Sequence, residues 1–420
     1  MLNNKILKNS IIYIIGDILN KAIPFLMLPI LTKYLTPSDY GIIASFGSFV
    51  SFLTIFIGIS LNSAINVAFF KLDRETLRVY IVNAFLILAF STLIVFFIVF
   101  IFDKNISEKL LLDKEWLYIG ILVSLSQFII LLNTTLWIAE QNPKAYSIYQ
   151  FAQTLLITIL SILLVVGYNF GWKGRILSII IGGFSFAIIS LILLKKRDYF
   201  SFGYNIEDIK HLFKFGIPMI PHQLAGWIRT SGDTILLISM VGANATGLFT
   251  VGYQVSMIMS VLTSAFNRAW SPYLYSQLKI DSKEKKIKIV KITYLYFIGI
   301  FILFILLYFF SNLIFKYFLD RKFLASIEFV IYILLANMFN GMYFMVVNYL
   351  FYTQKTDKLA IITFSISLIH FILSYSFIKY YGAIGVAYAG VISMFLTFLA
   401  VWFYANKSYP MPWNLWRWDV

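Results

Sequence analysis

The segment at residues 81–102 reads IVNAFLILAFSTLIVFFIVFIF and contains no charged residue. About 20 consecutive apolar residues are needed for a helix to cross the hydrocarbon core of a bilayer. Similar runs recur along the chain, and 60% hydrophobic residues in 420 gives about 252 apolar positions. A soluble core of this size cannot bury so many. The sequence therefore predicts an all-α polytopic membrane protein with about twelve transmembrane helices.

Charged clusters and Gly/Pro clusters divide the apolar runs and give the expected helix bounds. The first run is not a cleavable signal peptide, because it is long, carries Asp17 and Lys21 and lacks a small-residue cleavage pattern. It is therefore retained as helix 1. The twelve expected ranges are 11–32, 40–66, 81–102, 116–138, 145–167, 176–194, 213–241, 247–270, 292–315, 326–352, 359–378 and 384–404.

The distribution of basic residues predicts the orientation. With the N-terminus inside, cytoplasmic segments hold about 20 Lys and Arg and the opposite loops about 10. Both termini are therefore expected in the cytoplasm. The net charge of +15 then reflects this topology signal, and no nucleic-acid partner is needed to explain it. Trp413, Trp416 and Trp418 in the tail are expected to be interfacial anchors.

A weak internal repeat relates the two halves of the chain. Tyr40-Gly41 opens helix 2 as Thr246-Gly247 opens helix 8, at an offset of 206 residues, and two further small-residue matches precede helices 5 and 6 at offsets of 213 and 211. The repeat predicts an N-terminal six-helix lobe at residues 1–200 and a C-terminal six-helix lobe at residues 201–420. Because six is even, the lobes would be related by a pseudo-twofold axis along the membrane normal, with a cavity between them.

Ionisable residues inside the apolar runs mark the candidate site, because each costs roughly 2.5–3.5 kcal/mol at the centre of a span. Helix 1 carries three polar residues on one face, at i, i+3 and i+4. Helix 7 carries a longer stripe at i, i+4, i+7, i+8 and i+11. The two sets are Asp17, Asn20 and Lys21, and His222, Gly226, Arg229, Thr230 and Asp233.

Proline placement selects the same two helices. Pro24 and Pro29 lie in helix 1, Pro218 and Pro221 lie in helix 7, and no other expected span has a proline in its middle. Proline removes a backbone donor and kinks a helix. Broken helices at corresponding positions of two repeats are typical of a transporter site.

The functional interpretation makes Lys21 and Arg229 a mid-membrane cationic patch for an anionic headgroup, with Arg suited to bidentate phosphate contacts. Asp17 and Asp233 would balance these charges when the site is empty, or carry a coupling proton or cation. The structural alternative is two intrahelical ion pairs, Asp17 with Lys21 and Arg229 with Asp233. Arg268, near the cytoplasmic end of helix 8, would receive the substrate at the entrance, or be an ordinary snorkelling arginine.

Enzyme classes find little support in the residues. The chain has no cysteine and three histidines, which leaves no thiolate site and little for a metal centre. It contains no phosphate-binding or dinucleotide-binding glycine loop. The longest connections, at about 195–212 and 271–291, are too short for a catalytic domain, and their Lys-rich runs are expected to be solvated or to contact anionic lipid. No catalytic residue, metal ligand or cofactor is predicted.

Several segments resemble the polysaccharide repeat-unit flippases of the Wzx (O-antigen) type. These proteins belong to the MOP exporter superfamily, which also holds the MATE multidrug exporters and the lipid II flippases. The resemblance covers nearly the whole chain. It is carried by Asn9-Ser10, by Leu31-Thr32-Lys33-Tyr34-Leu35-Thr36-Pro37-Ser38-Asp39-Tyr40-Gly41, by Tyr381-Gly382-Ala383-Ile384-Gly385-Val386-Ala387 and by the twelve-span layout.

This resemblance implies a MATE-like fold and an alternating-access flippase in the bacterial inner membrane. The implied substrate is an undecaprenyl-pyrophosphate-linked oligosaccharide for O-antigen and lipopolysaccharide biosynthesis, and the implied partners are membrane lipids, a polysaccharide polymerase and a chain-length regulator. The lumen of such flippases is typically cationic, in agreement with Lys21, Arg229 and Arg268. Two alternatives stay open: a cation-coupled multidrug exporter, for which Asp17 would be the helix 1 acid, and a membrane glycan polymerase, which would need a long extracytoplasmic loop.

Overall fold

The structure is a computed structural model that describes residues 2–201, 203–280 and 282–414. In the first helix it describes the side chains at positions 12, 16, 19 and 20 and from 22 onward. The described chain contains helices and no strand. The α-helices are α1 Leu2–Tyr34, α2 Pro37–Gly58, α3 Leu61–Phe69, α4 Arg74–Leu110, α5 Lys114–Ala139, α6 Pro143–Ser161, α7 Gly171–Lys196, α8 Ile206–Gly216, α9 Ile220–Trp227, α10 Asp233–Met240, α11 Ala243–Leu278, α12 Lys283–Tyr317, α13 Ile327–Tyr352, α14 Thr356–Tyr381 and α15 Ile384–Ser408.

The all-α polytopic class predicted from the sequence is confirmed. Within the described residues, ten helices are long and apolar enough to span a membrane, and the segment Ala22–Tyr34 of α1 is a shorter apolar helix. The two expected spans outside these ten are helix 1 and helix 7, which carry the polar residues and the four prolines. The count of twelve therefore stays a prediction.

The chain divides into two compact units, Met1–Gly247 and Leu248–Val420. In the first unit, α2, α4, α5 and α7 enclose an apolar core that includes Phe46, Ile81 and Leu117. In the second unit, α11, α12, α13 and α15 contribute to a core that includes Tyr349 and Val401. Many large apolar side chains on the outer faces are exposed, as lipid contact requires. The predicted lobes at 1–200 and 201–420 stay a prediction.

The expected helix 2, at residues 40–66, is wrong as a single element. It is two helices, α2 and α3, separated by Ile59 and Ser60 in the left-handed conformation, with φ values of 41° and 54°. Gly216 allows a close approach at this break, because a Cβ at that position would lie 2.2 Å from the Ile59 carbonyl oxygen. The turn at Ile59 and Ser60 therefore lies directly against the end of α8.

Two other predicted helices end several residues before the observed helices do. The eighth expected helix stopped at residue 270, whereas α11 ends at Leu278 and contains Pro272. Helix 12 of the expectation stopped at 404, whereas α15 ends at Ser408. Apolar runs mark the lipid-facing part of a helix, and the hydrogen-bonded helix extends into the aqueous layer.

The segment after α15 packs back onto the second unit. The Trp413 ring lies against Trp402, with 5.1 Å between the ring centroids, and its carbonyl accepts a 2.6 Å hydrogen bond from the Tyr294 hydroxyl. Asn406 Oδ1 accepts from Trp413 Nε1 at 3.0 Å and from the Met411 amide at 3.2 Å. Trp413 therefore packs against the second unit while it stays half-buried, and its expected role as an interfacial anchor stays a prediction. Trp416 and Trp418 lie outside the described residues.

Substituting alanine for Trp413 is expected to lower the free energy of unfolding by about 2–3 kcal/mol, because two or three aromatic contacts and one hydrogen bond are lost. The measurement is the thermal unfolding midpoint of the purified protein in one detergent. Asn406→Ala should cost much less in the Trp413→Ala background than alone. If Asn406→Ala lowers the unfolding midpoint by the same amount alone and in the Trp413→Ala background, the tail does not pack through Asn406.

Candidate functional site

The segment predicted as helix 7, residues 213–241, is not one continuous α-helix. It contains the end of α8, a 3₁₀ turn, α9, a π-helical segment and α10. After α8, a 3₁₀ turn covers Ile217–Met219 and includes Pro218, and Pro221 lies in the first turn of α9. A π-helical segment then covers Ile228–Gly232 before α10 begins at Asp233. π-Helical turns of this kind occur frequently at functional sites. The kinked helix expected from the prolines is thus present, and its second irregularity contains Arg229.

One face of this helix is fixed to α2 by polar and aromatic contacts. Trp227 Nε1 donates to the Ser48 carbonyl and to Ser51 Oγ, each at 3.1 Å, and the Trp227 and Phe52 ring centroids are 4.9 Å apart. The Gln223 amide donates to Ser60 Oγ. These contacts set the rotation of α9 and of the π-helical turn about the helix axis.

The opposite face of helix 7 carries the predicted polar stripe. His222, Arg229 and Thr230 are exposed, whereas Gly226 and Asp233 are half-buried. Thr230 Oγ1 donates to the Gly226 carbonyl at 3.2 Å. Arg229 is expected to lie within the membrane, where an exposed guanidinium needs water or an anion as a partner, since lipid offers it none. The helix therefore presents a cation on the face that does not pack on α2.

The predicted site residues fall into three groups. Lys21 and Asp17 lie on α1, and their side chains are outside the described residues. Arg229 and Asp233 lie in the first unit, and Asp233 has an interaction partner. Arg268 is an exposed residue of α11 in the second unit and also has a partner. The convergence of Lys21, Arg229 and Arg268 on one site stays a prediction.

The start of helix 7, in α8, is attached to α4. The Tyr80 hydroxyl lies 2.8 Å from His211 Nδ1, and Asn83 Nδ2 donates to Asp208 Oδ2 at 3.3 Å. Burial raises the pKa of the Asp208 carboxyl, and the Asn83 hydrogen bond and the His211 ring oppose that rise. The bonds hold α8 in place on one side of the prolines. Pro218 and Pro221 therefore separate α8, which is held by α4, from the segment that carries Arg229, which is held by α2.

A second cluster joins the end of α7 to α5. Arg197 forms a 2.9 Å ion pair with Glu140 and donates to Asn133 Oδ1 at 2.7 Å. The fully buried Tyr199 donates to Glu140, and burial raises the pKa of its hydroxyl. The neighbouring Lys195 and Lys196 are exposed. The basic run at 195–197 is expected to be solvated or to contact anionic lipid. Its Arg197 instead turns inward to Glu140 at the end of α5.

Arg175 lies near the start of α7. Its guanidinium donates to Ser161 Oγ, which is 2.6 Å from Ser178 Oγ. It is a structural cation of the first unit. Among the described side chains, no group of three His, Asp or Glu residues lies close enough to hold a metal ion.

The ten long apolar helices of the described chain define a multi-pass membrane protein. The chain belongs to the polysaccharide biosynthesis protein family, which it matches over residues 6–279. It is also 25% identical over 418 residues to Lsg locus putative protein 1 of Haemophilus influenzae, covering 96% of this chain and 98% of that protein.

Two solved structures have a similar fold. One is an inward-facing multidrug resistance MATE family transporter of the MOP superfamily, with a TM-score of 0.72, 16% identity, and coverage of 92% of this chain and 94% of that one. The other is the lipid II flippase MurJ in an inward closed conformation, with a TM-score of 0.73, 17% identity, and coverage of 95% and 87%. The MATE-like fold expected from the resemblance is confirmed.

Proposed function

We propose that the protein is an alternating-access flippase for an undecaprenyl-pyrophosphate-linked oligosaccharide. The cargo is an O-antigen or related polysaccharide repeat unit, moved from the cytoplasmic to the periplasmic leaflet of the bacterial inner membrane. Both termini would be cytoplasmic. The product would pass to a polysaccharide polymerase and a chain-length regulator in lipopolysaccharide biosynthesis. One observation carries the proposal: a member of the polysaccharide biosynthesis family presents an exposed arginine, Arg229, on the irregular turn of a proline-broken helix.

The proposed chemistry is recognition of the pyrophosphate by cations. Arg229 would make bidentate contacts with phosphate oxygens, Lys21 would add a point charge, and Arg268 would attract the headgroup from the cytoplasmic side. Asp17 and Asp233 would balance the cations in the empty site. The prolines at 218 and 221 and the π-helical turn give helix 7 two places to bend, which a carrier that alternates its access requires.

Deleting the gene in its native host is expected to remove the surface polysaccharide and to leave its lipid-linked repeat unit accumulated and accessible only from the cytoplasmic side. The measurement compares intact spheroplasts with inverted vesicles, using a membrane-impermeant sugar-oxidising label. Expression of the wild-type chain should restore periplasmic labelling. If the deletion leaves labelling unchanged on both sides, the flippase proposal is wrong.

The competing candidate is a cation-coupled drug exporter, favoured by the MATE fold and the acidic residues on helices 1 and 7. Overexpression would then raise resistance to cationic drugs, and Asp17→Asn would remove that resistance. The flippase proposal expects no change in resistance, because a site whose central charges are Lys21, Arg229, Asp17 and Asp233 is not net acidic.

A further inference from the structure

The cytoplasmic end of α12 carries a groove that the proposed function does not use. Its volume is about 340 Å³, and its described lining residues all come from α12: Glu284, Ile287, Lys288, Lys291, Ile292 and Leu295. They recur every three or four residues and thus lie along one face of the helix. Glu284, Lys288 and Lys291 alternate along the groove with Ile287 and Ile292, and Leu295 lies at the end farthest from Glu284.

The same helix face continues into the membrane as an apolar stripe. Leu295, Ile298 and Ile302 are 69%, 59% and 51% exposed, and the stripe continues to Leu313. The opposite face, with Ile289 and Val290, is buried in the second unit. From Leu295 to Leu313 the rise is about 27 Å at about 1.5 Å per residue, close to the ~30 Å thickness of the hydrocarbon core. Leu295 therefore marks the edge of the hydrocarbon on this face.

The two lysines lie at headgroup depth. Lys291 is about 6 Å and Lys288 about 10 Å beyond Leu295 along the axis, and both are exposed. Lys286, by contrast, turns toward the protein, with its ammonium 4.8 Å from the Tyr409 ring centroid. Basic side chains at this depth attract the anionic lipids of the cytoplasmic leaflet. The groove thus offers cations to a phosphate and an apolar track to the acyl chains attached to it.

We propose that this groove is a binding site for one phosphatidylglycerol molecule of the cytoplasmic leaflet. Lys288 and Lys291 bind the phosphate, and the acyl chains lie along Leu295 and Ile298. Glu284, one turn farther from the membrane, accepts a hydrogen bond from the glycerol hydroxyls. Charge complementarity favours an anionic lipid over a zwitterionic one, and Glu284 favours a headgroup that carries hydroxyl donors. The site is on the outer surface of the second unit and does not depend on the proposed transport reaction.

The test is lipid retention by the full-length purified protein. The protein is exchanged into vesicles of phosphatidylcholine with phosphatidylglycerol at 7:3, extracted mildly, and analysed by native mass spectrometry. We expect the wild type to retain phosphatidylglycerol in preference to phosphatidylcholine. Lys288→Ala/Lys291→Ala should weaken that retention about 25-fold, since each lysine near an anionic surface contributes about fivefold.

The matched control is Lys279→Ala/Lys355→Ala, which changes the net charge equally at two exposed cytoplasmic lysines outside the groove. It should retain phosphatidylglycerol like the wild type. Equal loss in both variants would indicate diffuse charge attraction and overturn the site, as would unchanged retention in the groove variant. In a second set of vesicles that also contains undecaprenyl phosphate, loss of undecaprenyl phosphate from the groove variant with phosphatidylglycerol retained would assign the groove to a polyprenyl phosphate instead, and also overturn the proposal. Since all four lysines are exposed, the variants should fold, which size-exclusion profiles will check.

Discussion

Arg229→Ala is expected to remove nearly all surface polysaccharide when it replaces the wild-type gene. A guanidinium hydrogen-bonded to a phosphate contributes more than a neutral pair, and losing it weakens binding by about 10- to 100-fold. The main-chain geometry should persist, because the contacts that fix this segment come from Trp227 and Gln223. The measurement is surface polysaccharide on gels, together with the amount of folded protein in the membrane.

Two further variants test whether the effect depends on the charge at position 229, on the shape of the guanidinium, or on the total number of basic residues. Arg229→Lys keeps the charge and loses the bidentate fork, so we expect an intermediate amount of polysaccharide. Lys214→Ala removes an exposed cation from α8, near the start of the same helix, and should leave polysaccharide unchanged. Normal polysaccharide with Arg229→Ala would end the cationic-site hypothesis. Equal loss with Lys214→Ala would show that overall charge matters and that the position of Arg229 does not.

The sequence predicts the membrane class and the special helices because those signals are compositional and local. Long uncharged runs have one stable solution in lipid, the helix, since every backbone polar group must be satisfied internally. Prolines at 218 and 221 predict the break in helix 7 for the same reason, as each removes a backbone donor. The polar face at Arg229 follows from spacing alone.

Two helix ends are marked by short local motifs in the sequence, the start of α2 and the end of α14. Helix α2 begins at Pro37, ahead of the predicted start at 40, because Thr36 and Asp39 form a capping box: Asp39 Oδ2 accepts from the Thr36 amide at 2.7 Å, and Thr36 Oγ1 accepts from the Asp39 amide at 3.1 Å. This arrangement is readable from Thr-Pro-x-Asp. Gly382 similarly ends α14 with φ of 68°, a conformation that favours glycine.

What sequence could not supply is pairing between distant elements. The turn at Ile59 and Ser60 lies against Gly216, more than 150 positions away, where a Cβ would be 2.2 Å from the Ile59 carbonyl oxygen. The inward turn of Arg197 depends on Glu140, which only the packing of α5 beside α7 brings near. Such features require tertiary contacts that a single sequence does not encode in any local pattern.

Two glycines that the repeat analysis singled out, Gly41 and Gly247, meet within the first unit. A Cβ at Gly247 would lie 1.7 Å from the Pro37 carbonyl oxygen, and one at Gly41 would lie 2.0 Å from the Ala243 carbonyl oxygen. These neighbours are backbone atoms, which cannot rotate away. The starts of α2 and α11 therefore approach as closely as helices do when small residues line the contact.

Gly247→Ala is accordingly expected to destabilise the protein by about 2 kcal/mol or more, because one methyl group forces the two backbones apart. Gly41→Ala should act similarly, and the double variant should cost less than the two single losses together, since the first substitution already separates the helices. The matched control is Gly47→Ala on α2, where a Cβ would have no neighbour within 4 Å and the higher helix propensity of alanine should leave stability equal or slightly raised. The measurement is the thermal unfolding midpoint of the four variants in one detergent. If Gly247→Ala and Gly41→Ala unfold at the same temperature as Gly47→Ala, the starts of α2 and α11 are not in backbone contact in the folded protein.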